Sequence, residues 1–233
     1  MNPKTQRYIR KSHRYLGLFL GIQFMFWTLS GLYFSWTDID EIHGDPYRIH
    51  SDTQGFSNLL APKDVFSEIN IHKISLRDLN GAPHYWINDT HLYNAFTSEK
   101  REGITEKEAL YVAHQNIVPE LKVASVEFIQ TMDAHHEYRG KPLPAYAINY
   151  THPNAITAYV SYADGAFQTI RHRKWRWFDF LWMTHTMDYQ SRDDFNTTVL
   201  RVFSLLGLIT VVSGFLLWGI SSNKLRRLKK KLF

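Results

Sequence analysis

The sequence predicts a membrane protein of mixed class, in which two transmembrane helices flank an extracytoplasmic α+β domain built from two helix-plus-antiparallel-sheet units. Three observations predict this. Residues 15–36 (YLGLFLGIQFMFWTLSGLYFSW) and 202–220 (VFSLLGLITVVSGFLLWGI) carry no charge, in a chain of 233 residues whose overall mean hydropathy is negative. All 22 acidic residues lie between these runs, where 16 basic residues leave a net charge of −6. The same intervening segment alternates one clear helical period with strand-like runs separated by turn signals.

The chain opens on a basic tail, residues 1–14, with Lys4, Arg7, Arg10, Lys11 and Arg14 and no acid. Residues 15–36 then form the first transmembrane helix, because about 20 apolar residues rising about 1.5 Å each cross a hydrocarbon core of about 30 Å. A helix also satisfies its own backbone hydrogen bonds, which lipid cannot do. The run is too long for a cleaved signal peptide, and TLSGLYFSWTD offers no small-residue cleavage site, so it is expected to remain as an anchor. A second basic tail, residues 221–233, follows the second span at residues 199–220, with Lys224, Arg226, Arg227, Lys229, Lys230 and Lys231. The bias of basic residues toward the inner side puts both termini in the cytoplasm and the middle outside. The tails face anionic lipid headgroups, and the acidic middle makes nucleic acid an unexpected partner.

Residues 37–103 hold the fainter first unit, with a short helix at 62–69, strands at 74–79, 84–88 and 91–96, and a tight turn at Asn80-Gly81. Residues 104–173 hold the second. Thr105 and Glu108 make a capping-box pattern, Ala109, Val112, Ala113 and Ile117 recur at helical spacing, and Pro119 ends the helix. Strands are expected at 123–130, 145–150, 156–162 and 166–170, with Ala163-Asp164-Gly165 as a turn. The aromatic stretch 174–189 predicts a helix along the outer membrane surface, docked by Phe178, Leu181, Trp182, His185 and Tyr189. The polar turn 191–198 then caps the second span.

The chain has no cysteine, which excludes disulfides, thiolate metal sites and covalent haem attachment. The Asn88, Asn149 and Asn196 sequons read as chance. No H-E-x-x-H, nucleophile elbow, phosphate loop or catalytic carboxylate pair occurs, so an independent hydrolase is not expected. The two spans resemble each other: Leu29-Ser30-Gly31-Leu32 matches Val212-Ser213-Gly214-Phe215. Gly17-x-x-x-Gly21, with Gly31, Gly207 and Gly214, supplies small residues for close helix packing, within the chain or in a homodimer or larger membrane complex.

Three motifs in order, spanning nearly the whole chain, resemble the PepSY-associated transmembrane family. They are the opening Arg10-Lys11-Ser12-His13-Arg14-Tyr15-Leu16-Gly17-Leu18, the helix-then-strands unit ending AYVSYADGAFQTI, and the final span with Ser213-Gly214 and Trp218. The resemblance implies a bacterial inner-membrane protein with a periplasmic main domain, two PepSY-like units and a link to iron and siderophore uptake. It also implies b-type haem and electron transfer toward ferric iron. The haem-bearing reductases of that family have more membrane helices than the two here. PepSY domains elsewhere act without catalysis, as chaperones or peptidase inhibitors, so a membrane-anchored interaction module or accessory subunit stays open beside the reductase reading.

Under that resemblance the candidate haem ligands are His13, His185 and His43. His13 sits at the mouth of the first span, with Gly17 and Gly21 on the same face to let a flat porphyrin approach. His185 lies on the apolar face of the aromatic helix, and His43, just after the first span, is placed to reach it. His13 and His185 are expected on opposite sides of the membrane, so they cannot share one iron atom. His135 and His136, with Glu137 and His152, form a weaker metal candidate, for which an exposed loop is the plainer reading.

Overall fold

A computed structural model describes residues 3–49, 55–66 and 70–222. The first uncharged run lies in α1 (Pro3–Trp36), and the helix also takes in the basic stretch before it. Residues 3–14 of the basic tail are therefore helical. Proline is tolerated in a first turn, and the Lys- and Arg-rich residues after it are good helix formers. At about 1.5 Å per residue α1 is about 51 Å long, well beyond a hydrocarbon core. The chain forms two compact units, Thr37–Phe178 and Met1–Trp36 with Asp179–Phe233.

The first of these units opens on α2 (Ile39–His43), whose Asp38 cap accepts from the Asp40 N–H at 2.9 Å. Gly44 ends it at φ 91°, and a Cβ there would lie 2.9 Å from the Ile170 Cβ, so both backbone and space require glycine. After a 3-10 turn at Asp45–Tyr47, α3 (Pro62–Val65) is a single turn. The helix expected at 62–69 is thus confirmed only in its first half; residues 67–69 lie outside the described residues.

The first sheet is a meander of β1 (Ile74–Leu79), β2 (Ala82–Ile87), β3 (His91–Asn94) and β4 (Lys100–Arg101). Asn80 and Gly81, both with positive φ (58° and 81°), make the two-residue hairpin between β1 and β2. Next, α4 (Glu106–Asn116) starts with the full capping box between Thr105 and Glu108. The second meander is β5 (Val123–Ile129), β6 (Ala145–Tyr150), β7 (Thr157–Ser161) and β8 (Phe167–Arg171). Ala109, Val112 and Ala113 of α4 are buried in one cluster with Ile148, Ala158, Val160 and Ile170 from the second sheet and Leu79, Trp86 and Leu92 from the first. One helix therefore supplies core to both sheets. The first sheet's other face is filled by Phe66 beside Tyr85 and Ile87, and the second sheet's by Tyr138 stacked on Tyr159 at 4.6 Å.

From β8 the chain enters α5 (Arg173–Thr186). It stops short of the expected Tyr189 because Met187 turns left-handed at φ 54° and Asp188 gathers the N–H groups of Gln190, Ser191 and Asp194. Thr197 then caps α6 (Thr198–Ser221), accepting from the Leu200 N–H at 3.2 Å. The basic residues from Lys224 to Lys231 lie outside the described residues.

Both α1 and α6 are long and apolar enough to cross a membrane, and only 17% and 11% of their most apolar windows are buried. A core helix would bury most of such a window, so this apolar surface needs a solvent other than water. The two helices pack through Gly207, whose hypothetical Cβ meets Phe24 at 3.3 Å, and Gly214, where it meets the His13 ring at 3.1 Å. A Cβ at Gly17, Gly21 or Gly31 would meet nothing within 4 Å, so these three take no part in the packing of α1 against α6.

Candidate functional site

The unit containing both long helices has only two histidines, His13 and His185, and each is held by a serine of a partner helix. His13 is half-buried on α1, and its Nδ1 lies 2.8 Å from Ser213 Oγ and 3.1 Å from the Thr210 carbonyl oxygen. A carbonyl only accepts, so the ring proton sits on Nδ1. The Ser213 hydroxyl spends its own proton on that same carbonyl at 2.7 Å, which leaves its lone pairs for the Nδ1–H. Thr210, Ser213 and Gly214 are one turn of one α6 face, and glycine at 214 leaves room for the ring.

His185, next to last in α5, repeats the arrangement. Its Nδ1 lies 2.7 Å from Ser30 Oγ, and the fully buried Ser30 hydroxyl donates back along α1 to the Phe26 carbonyl at 2.6 Å. The short O–O distance requires the serine proton between those oxygens, so again Nδ1–H donates to serine. The last carbonyls of α5 lack intrahelical partners. Gln23 Nε2 donates to that of Thr184 at 3.1 Å, and Trp27 Nε1 to that of His185 at 2.7 Å. With Phe34 edge-on to the imidazole at 5.6 Å, residues 23, 27, 30 and 34 form the α1 stripe that grips the end of α5. Burial lowers the His185 pKa from its usual value, which keeps the ring neutral.

In both cases Nε2 has no partner among the described residues; an imidazole that ligates haem iron does so through a nitrogen left free in this way, and a bonded Nδ1–H is the usual support of such a ligand. Space is open at Gly17 and Gly21, one and two turns beyond His13 on its own face. The chemistry of this donor set is compatible with haem iron. His13 and Ser30 are 17 residues apart on one straight element, about 26 Å, so the two imidazoles cannot flank one iron.

His43 is exposed at the end of α2, in the other unit. His136 accepts the Tyr138 N–H on its Nδ1 at 3.1 Å. Glu137 is taken up by Arg176 at 2.5 and 2.9 Å and by the Tyr159 hydroxyl at 2.7 Å, and His152 accepts the Asn154 N–H at 3.1 Å. No group of three or more His, Asp or Glu side chains that could hold a metal ion occurs among the described residues.

Two buried histidines carry no sequence signal. His172 Nε2 donates to the Glu41 and Ile42 carbonyls at 3.0 and 3.2 Å, closing α2, while its Nδ1 is buried without a partner. His84 donates from Nδ1 to the Ala82 carbonyl at 2.9 Å and accepts Arg101 on Nε2 at 3.3 Å; Arg101 in turn clamps Glu108 at 2.6 and 2.8 Å. Burial lowers the pKa of both. Comparison of the chain with protein-family models, curated proteins and solved structures gives no match.

Proposed function

We propose that this chain is a PepSY-type protein of the bacterial inner membrane, with both termini cytoplasmic and the domain periplasmic, that carries b-type haem for electron transfer toward ferric iron or ferric siderophores. The observation that carries the reading is the pair of imidazoles, His13 and His185, each with Nδ1 held by a back-bonded serine and Nε2 left without a partner among the described residues. When bound, haem would supply a centre that takes and gives one electron at a time. His13 and His185 are the residues of this chain that would hold it. Ser213 and Ser30 keep the Nδ1 proton in place, Gly214 seats one ring, and Trp27 and Gln23 fix the helix end that presents the other. Each of the two histidines would supply one ligand from this chain.

The test is a reduced-minus-oxidised spectrum of the protein purified in mild detergent after haem-replete expression. A Soret and an α band that weaken in His13→Ala and in His185→Ala support the reading, and their absence from the wild type removes it. A second reading, a membrane-anchored interaction module, is favoured by β5, an edge strand paired only with β6 and exposing Val123 (47%) and Phe128 (43%). A haem-free protein that copurifies with a stoichiometric partner decides for the module.

A further inference from the structure

Resting on the haem reading, we infer that Ser213 and Ser30 are positioning residues that lock His13 and His185 in the Nδ1–H tautomer, one copy of a duplicated device in each long helix. The lock has three parts in each copy. A backbone carbonyl on the serine's own helix, Thr210 or Phe26, takes the hydroxyl proton at 2.7 or 2.6 Å. The serine oxygen, turned acceptor, then faces the imidazole Nδ1 at 2.8 or 2.7 Å. The imidazole comes from a different helix, so the contact also fixes where the ring stands.

The repeated sequence Ser30-Gly31 and Ser213-Gly214 is the visible trace of this device. The partners are far away in the chain, 200 residues for one pair and 155 for the other. Ser213 back-bonds to the carbonyl three residues before it and Ser30 to the one four residues before it, yet both face the same imidazole atom, at 2.8 and 2.7 Å, whereas the usual fate of a serine inside an apolar helix is a back-bond alone. A free imidazole exchanges its proton between Nδ1 and Nε2. A protonated Nε2 cannot coordinate, so holding the proton on Nδ1 prepares the ligand before the metal arrives. The bonded Nδ1–H also raises ligand basicity, which favours ferric over ferrous iron.

The experiment uses the full chain labelled with ¹⁵N-histidine in detergent micelles, without haem and with haem, as wild type, Ser213→Ala, Ser30→Ala, Ser213→Thr and Ser30→Thr. In the haem-free wild type both His13 and His185 should be in the Nδ1–H form, beside His84, whose Nδ1–H the serine variants should leave unchanged. Ser213→Ala should leave the His13 Nδ1–H only the Thr210 carbonyl at 3.1 Å and so raise its Nε2–H fraction in part, Ser30→Ala should release His185 to mainly Nε2–H, and threonine, which keeps the hydroxyl, should restore the lock. In the loaded protein each alanine variant should hold haem 10- to 100-fold more weakly. Its midpoint potential should rise, by about 59 mV for each tenfold loss of ferric preference. Unchanged tautomers in both alanine variants, in protein whose wild type still binds haem, overturn the positioning role. A wild type that binds no haem overturns the haem reading instead, and the haem-free spectra still decide whether the serines set the tautomers.

Discussion

Gly214 has no side chain because the His13 ring occupies the place of one. Gly214→Val is expected to push the imidazole off Ser213, lowering retained haem absorbance at least tenfold while leaving α6 helical by circular dichroism; unchanged absorbance would contradict the seat assigned to this glycine. The buried histidines of the domain respond to acid in a definite direction. His84 and His172 have folded-state pKa values below the usual 6.5, so the unfolded chain binds more protons as the pH falls. Their contribution to stability is whole above about pH 6.5 and declines below it. For His172 the extra proton would land on Nδ1, which is buried and has no acceptor. For His84 it would land on Nε2, facing the Arg101 guanidinium. His84→Gln and His172→Gln should each flatten the fall in thermal midpoint between pH 7 and pH 5, and a slope equal to wild type in both would count against this account. Glu108 acts over a more acid range. Burial raises its pKa, but the Arg101 and Thr105 bonds outweigh that and bring it down to about 2. Its contribution is therefore present above the usual carboxylate pKa and lost only as pH falls toward that value.

Among the elements, those with strong local signals were readable from sequence alone. The Thr105 capping box starts α4, Asn80-Gly81 turns β1 into β2, and β6 covers the six residues whose alternation predicts it. The rest depended on contacts that no local pattern encodes. The two-residue β4, Lys100–Arg101, has no apolar alternation and exists because β3 offers it a ladder. The aromatic helix ends at Thr186 because Asp188 closes a loop on three backbone N–H groups, whereas apolar spacing alone continues to Tyr189. The basic segment before the first span reads as a tail by charge and is helical by propensity, since nothing in it breaks α1. The shared role of α4 gives a prediction at this scale. Ile148→Ala, in the cluster that joins α4 to both sheets, should lower stability by about 2–5 kcal/mol, seen as one shifted denaturant transition. Two separated transitions would show that the sheets do not share a core.

At the scale of the whole molecule, two apolar helices carry surface that water cannot solvate, and an acidic α+β unit stands between them in sequence. Alkaline carbonate extraction should therefore leave the chain with the vesicles, and its release would contradict the spans. The candidate site was legible in half. Apolar surroundings and position along the spans single out His13 and His185, and the repeated Ser-Gly is visible in the sequence. That each serine belongs to the other helix's histidine is a fact of packing, between residues 200 and 155 positions apart. The central claim is that these two imidazoles are ligands, and haem content per chain tests it most directly in the wild type, in His13→Ala, in His185→Ala and in the double variant. The account predicts a partial loss in each single variant and no haem in the double; a double variant that keeps the wild-type content would contradict it.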